Sequence, residues 1–395
     1  MSFNIALTGL SAVTEQLDAI SNNIANAGTT GFKSSRAEFG SIYADTQAMG
    51  VEVLGLKQSI SQGGSLVSTG RSLDLAISGG GFFVTKASNG DVSYTRAGVF
   101  GTDKNNYLVN NSGNRLQGYS INASGNLQVG SVGDLQLQSA NLPARASDAL
   151  AFVMNLDSNE AVPAVGPFDA TDAATFNSTY TSKLFDSQGR EHTLTQYFVK
   201  TGANNWEAHY FSDGAAVGAP QALAFGTNGA LTAPVGAVNV TYPLAGVDAM
   251  DIAIDYTGSS QSGSDFVVTT NVATGYAAGE QTGLAVEKDG MVYATYSNGQ
   301  RMLQGQVVLA TFANADGLKN ISGTAWTETS QSGAALVGTP GVAFFGELSA
   351  GSLENSNVDL TQQLVGLMEG QRNYQANTKV LSADKELTQV LFNAI

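Results

Sequence analysis

The first 26 residues constrain the chain most. Phe3, Ala6, Leu10, Val13, Leu17, Ile20 and Ile24 recur at spacings of three and four, the a/d pattern of a helix that packs along another helix. The stripe is narrow and flanked by Ser, Thr, Asn and Gln, so the outside of a globule would satisfy it only in part. It requires a partner helix, and the far end of the chain offers one. Beyond Ser356, with Asp359 and Gln362 available for a capping box, Leu360, Leu364, Leu367, Tyr374 and Leu381 fall at heptad-compatible positions, Gln371 and Thr378 filling two slots. The apolar face then drifts to Val380, Leu387, Val390 and Leu391, as on a helix that does not supercoil over its full length.

The first helix should stop within Asn26-Ala27-Gly28-Thr29-Thr30-Gly31-Phe32-Lys33, with Gly28 placed for the left-handed conformation past a helix end. The Ser-, Gly- and Gln-rich stretch that follows reads as extended chain with little core of its own. From Arg71 the pattern tightens. Leu73, Leu75 and Ile77 alternate, Gly79-Gly80-Gly81 turns the chain, and Phe82-Phe83-Val84 begins another strand. Turn signals then punctuate short apolar runs at Asn89-Gly90, Asn105-Asn106, Ser112-Gly113-Asn114, Ser124-Gly125-Asn126, Asp289-Gly290 and Asn298-Gly299. The Ala/Gly/Val-rich stretch 215–246 is too weakly patterned to divide into elements.

Charge separates the middle from the rest. The chain carries 18 Lys plus Arg against 33 Asp plus Glu, and residues 146–284 alone hold 14 acids and three bases. The expected fold class is therefore a mainly β multidomain protein with terminal α-helices. Its segments are an N-terminal helix (1–26), an extended connector (27–70), a discontinuous inner β domain (71–145 and 285–355), an inserted outer β domain (146–284) and a C-terminal helix (356–395). The two helices should pair as a coiled-coil-like element.

The same composition removes several function classes. A formal charge of −15 repels phosphate backbones and anionic lipid. With no Cys, disulfides and thiolate metal sites are excluded. No apolar run reaches membrane-span length, and Glu15 and Asp18 interrupt the N-terminus, so no Sec signal is expected there. Gly79-Gly80-Gly81 is not followed by the helix and Lys-Ser/Thr of a phosphate cradle. His192 and His209 lack metal-ligand spacing, and no Gly-x-Ser-x-Gly elbow occurs. Arg372 reads as a donor in helix packing. No enzyme, no cofactor, no nucleic-acid partner and no membrane insertion are expected.

Ser21-Asn22-Asn23-Ile24-Ala25-Asn26 through Thr30-Gly31-Phe32-Lys33, with Ser356-Asn357-Val358-Asp359-Leu360 and Gln371-Arg372-Asn373-Tyr374-Gln375-Ala376-Asn377, resemble the terminal motifs of the bacterial flagellar rod and hook family. Lys183-Leu184-Phe185-Asp186-Ser187-Gln188-Gly189, the 192–198 run, the 299–314 run and the large insertion look like the hook branch of that family. The resemblance implies a subunit that self-polymerises into a short, curved extracellular tube joining motor to filament and transmitting torque as a universal joint. It implies export through the flagellar type III apparatus without a cleaved signal. It also implies distal rod, hook cap and hook–filament junction proteins as partners. The assembly interface would comprise Leu10, Val13, Leu17, Ile20, Asn22, Asn23, Ile24 and Asn26 at one end. At the other it would comprise Leu360, Leu364, Leu367, Gln371, Arg372, Tyr374, Gln375, Asn377 and Leu381. A distal-rod subunit, or a secreted β-rich protein displaying a surface-binding site, are the alternatives.

Overall fold

The computed structural model describes residues 2–44, 47–122, 125–138, 140–322 and 324–393. Helix α1 (Ser2–Ala25) ends where Asn26 takes over its capping: the Asn26 side chain donates to the Asn22 carbonyl at 3.0 Å and accepts from the Thr29 hydroxyl at 3.1 Å. Gly28 is not the left-handed residue. That role falls to Gly31 (φ 71°), where a Cβ would lie 2.5 Å from the Ala97 backbone nitrogen. Close packing against another segment, which spacing from the helix end does not encode, selects the glycine.

The stretch expected to run as an extended connector is extended but paired with itself. Strands β1 (Ser35–Ala44) and β2 (Gln47–Gln58) form an antiparallel hairpin with register shifts beside Gly50 and Gly55, both at positive φ. Backbone pairing alone holds much of it, and Leu54 and Leu56 stay exposed. Its apolar residues, such as Val53 and Leu54, fall on both faces, so no single alternation marks it in the sequence. Helix α1 lies against this hairpin, where the Thr8 hydroxyl accepts from the Val51 amide at 3.3 Å.

The chain divides into two units, Met1–Ser139 with Gly283–Thr295 and Arg301–Ile395, and Ala140–Thr282 with Tyr296–Gln300. In the first, strands far apart in sequence close one body. Arg115–Ile121 pairs with Arg301–Val307, Leu75–Ser78 with Glu347–Ala350, and Leu66–Ser68 with Ser352–Glu354. Alternation along Phe82–Lys86 sends neighbouring rings to opposite faces. Phe83 meets Phe100 in one core, and Phe82 meets Trp326 in the other.

The second unit has one core between two five-stranded sheets. One is an antiparallel meander from Ser178–Phe185 to Leu231–Ala233; the other is built around Ala149–Asp157. Phe152, Phe198, Trp206 and Tyr256 fill the space between them. The unpatterned 215–246 stretch holds three strands, Ala215–Phe225, Leu231–Ala233 and Val238–Tyr242. Only their inward positions, such as Leu223, Phe225 and Val240, are apolar and large enough to bury.

Candidate assembly interface and its anchor

Helix α2 (Leu360–Asn393) starts on Asp359, whose carboxylate accepts from the amides of Thr361 and Gln362 at 2.9 and 3.1 Å. It runs antiparallel to α1. The Asn23 amide donates to Gln363 at 3.0 Å, Gly366 faces Ile20, Gly370 faces Leu17, and Asn377 reaches Gly9. A Cβ at Gly370 would fall 2.7 Å from a Leu17 methyl, so glycine sets the helix separation.

The seam is thus one position N-terminal to the expected leucine stripe. Leu367 and Leu381 are half-buried, but Leu360, Leu364 and Tyr374 are 48, 52 and 41% exposed. Gln371, Arg372 and Gln375 are exposed too, and Asn377 is half-buried. On α1, Val13 and Ile20 are buried, Leu10, Leu17 and Ile24 are half-buried, and Phe3 is exposed. Asn22 is exposed and Asn26 caps the helix. The signal for the true seam was present in the Gly366–Gly370 spacing, which places two small residues on one helix face.

Below the helix pair, amides and charges tie the terminal segments to the β body. Asn23, 1% exposed, accepts from the Ser35 amide at 2.9 Å and donates to the Ser35 carbonyl at 2.7 Å. Asn357 accepts from the Ser34 amide at 2.7 Å and donates to the carbonyls of Ser59 and Gln62, both at 3.0 Å. Both asparagines act as surrogate backbone, Asn23 folding the chain after α1 back onto the helix end and Asn357 bridging to segments some 300 residues away. Two of the asparagines in the recognised motifs therefore have a structural duty inside the subunit.

Deeper still, Glu354 is shared by two buried cations. Lys33 Nζ donates to Glu354 Oε1 at 2.6 Å and to the Gln62 carbonyl at 2.6 Å. Arg96 donates to Glu354 Oε2 at 3.1 Å and to the Gly79 carbonyl at 2.7 Å. Side-chain exposures are 0% for Lys33, 6% for Arg96 and 1% for Glu354. Burial pulls the Lys33 ammonium and the Arg96 guanidinium below their ordinary values, against the opposing pull of Glu354. Neither Arg96 nor Glu354 was legible as a partner of Lys33 in the sequence, because 258 and 321 positions separate Glu354 from the two cations.

The inserted unit holds the two histidines. His192, which shows no metal-ligand spacing in the sequence, lies between Asp213 (2.6 Å) and Asp186 (3.3 Å). Burial disfavours its charge, but the hydrogen bonds to the two carboxylates prevail and raise its pKa above the ordinary 6.5. His209 stacks on Phe168 at 4.0 Å, and burial lowers its pKa despite Glu207. Among the described residues no group of three His, Asp or Glu is placed to hold a metal ion. No helix of the described residues is long and apolar enough to cross a membrane.

Comparison with known proteins places this architecture. Residues 3–33 match the family described as flagella basal body rod protein, and 349–394 the flagellar basal body rod FlgEFG protein C-terminal family. Residues 76–148 match the flagellar hook protein FlgE/F/G D1 domain, and 155–276 the flagellar basal body protein FlaE D2 domain. The chain is 39% identical to the flagellar hook protein FlgE of Salmonella typhimurium over 404 residues and 38% identical to that of Escherichia coli K12 over 402, covering 100% of both partners in each case. With the Brucella abortus protein of the same name it shares 33% over 98% of this chain and 97% of the relative. The crystal structure of Helicobacter pylori flagellar hook protein FlgE2 superposes with a TM-score of 0.56 at 15% identity, covering 73% of this chain and 100% of that one, a likeness of fold. Terminal helices that pair across the whole sequence, a discontinuous β body and an inserted β unit thus coincide with full-length relatives of a single name, and the chain belongs to the flagellar hook protein FlgE family as a structural subunit of the hook.

Proposed function

We propose that the chain assembles through the face of α2 that α1 leaves uncovered. The observation that carries this reading is the exposure of Leu360, Leu364 and Tyr374 on a helix whose intramolecular contacts run through glycines. An apolar stripe of this kind, next to half-buried Leu10, Leu17 and Ile24, suits helices of neighbouring subunits. A contact between different surfaces of identical chains generates an open helical assembly when its rotation does not close into a ring. Gln371, Arg372 and Gln375 supply polar contacts along the same helix, while Asn377 joins the assembly core from the side turned to Gly9 of α1.

The tube is read as extracellular and curved, a flexible joint that passes torque from motor to filament. The subunit reaches it unfolded through the flagellar type III apparatus, without a cleaved signal, and meets distal rod, hook cap and hook–filament junction proteins there. Residues 1–26 and 356–395 form the assembly core, while 71–145 with 285–355 build the wall and 146–284 is the outer domain. Catalysis has no place in this role. Purified Leu364→Asp chain tests the interface: it should remain a folded monomer by circular dichroism and form no tubes by electron microscopy. Tubes of ordinary length would refute the reading. A secretion assay in a flagellated host lacking a working type III apparatus tests the export route, which predicts that the chain stays inside the cell.

A further inference from the structure

Glu354 stands where three segments meet. Lys33 follows α1, Arg96 lies in the first part of the β body, and Glu354 ends the last strand before α2, paired with Leu66–Ser68. Its Oε1 also accepts from the Gly64 amide at 2.9 Å, and the backbone carbonyl of Glu354 accepts from the Gly31 amide at 2.8 Å. Until residue 354 arrives, closing the body would bury two cations with no carboxylate between them. A buried charge without its counter-ion opposes folding far more than an open, hydrated one. The three charges are also unevenly matched, two positive to one negative, and among the described residues Glu354 is the carboxylate that both cations bond.

We propose that Glu354 is a closing latch: the β body around Lys33 and Arg96 stays open while the chain is incomplete or threaded, and shuts only when the C-terminal segment docks its carboxylate. The use of such a latch in export rests on the export reading above, but the latch itself is a property of the purified chain. Trp206 lies in the inserted unit and Trp326 in the β body, and these are the only two Trp. In a Trp206→Phe background, Trp326 emission therefore reports closure of the body alone.

Glu354→Gln should slow the recovery of Trp326 emission on refolding by about the same factor by which it weakens the folding equilibrium, roughly a hundredfold to a few thousandfold for a buried ion set. The apolar replacement Lys33→Met/Arg96→Met/Glu354→Leu should close again, because no charge then awaits compensation. If Glu354→Gln never closes, Lys33→Met/Glu354→Gln, with one buried cation in place of two, should recover part of the closure. Two outcomes would overturn the latch: Glu354→Gln refolding at the ordinary rate and unfolding faster, or the apolar triple failing to close. Neither depends on secretion, so a failure of the export route in the host assay leaves these results standing.

Discussion

Asn23 makes four side-chain hydrogen bonds, to the Ser35 amide, carbonyl and hydroxyl and to Gln363, from a position 1% exposed. Asn23→Ala leaves the Ser35 amide and carbonyl without their partner, and should destabilise the β body by about 1–3 kcal/mol. Chemical denaturation followed through Trp326 measures this. Gly31→Ala at φ 71° meets the Ala97 backbone and should act in the same direction. The two histidines pull stability in opposite directions with pH. His192 binds its proton more tightly when folded, so its contribution is full below the ordinary 6.5 and disappears as pH rises through the raised value. His209 is held neutral when folded, so its contribution is present above the ordinary 6.5 and falls away as pH drops through that value toward the lowered one. The melting temperature of the inserted unit, read by Trp206, should therefore rise with pH up to about 6.5 in His192→Gln, where only His209 is left, and fall with pH above about 6.5 in His209→Gln, where only His192 is left. Equal slopes in the two variants would contradict the assignment.

The helix pair is the element whose detail departs most from its pattern. A leucine stripe on α2 was legible, and so was its partner at the opposite end of the chain. The face that meets α1 was not, because helix separation follows the smallest side chains, Gly366 and Gly370, and leaves Leu360 and Leu364 outside. Gly370→Leu should force α1 and α2 apart at a cost of about 1–3 kcal/mol. Hydrogen exchange would show this as lost protection in both helices with the β body unchanged. A charge at Leu17, as in Leu17→Asp, should likewise abolish tube formation while circular dichroism of the strands stays intact.

In the whole molecule, two units with separate cores share one chain. Denaturation should show two transitions, one through Trp206 and one through Trp326, and Asn23→Ala should move only the second. The acid-rich inserted region is the element to remove when polymerisation and flexibility are to be separated. Deletion of 146–284 should preserve tubes, since the helix pair and its anchor are untouched. Straighter, stiffer tubes by electron microscopy would place the flexibility in that region, and loss of tubes would place assembly there instead.

Local periodicity determined what the sequence alone could: two terminal helices, a strand-rich middle punctuated by turn residues, and a chemically distinct acidic insertion. Such patterns repeat every two, three or four residues and depend on which side of an element is buried. Only the tertiary structure decided which glycine turns left-handed, which face of α2 meets α1, that a polar connector pairs with itself, and that Lys33 and Arg96 share Glu354. Apart from the hairpin, whose two strands are neighbours in the chain, each of these is settled by close approach between segments tens to hundreds of residues apart, where burial and counter-charge select a partner that no spacing along the chain records.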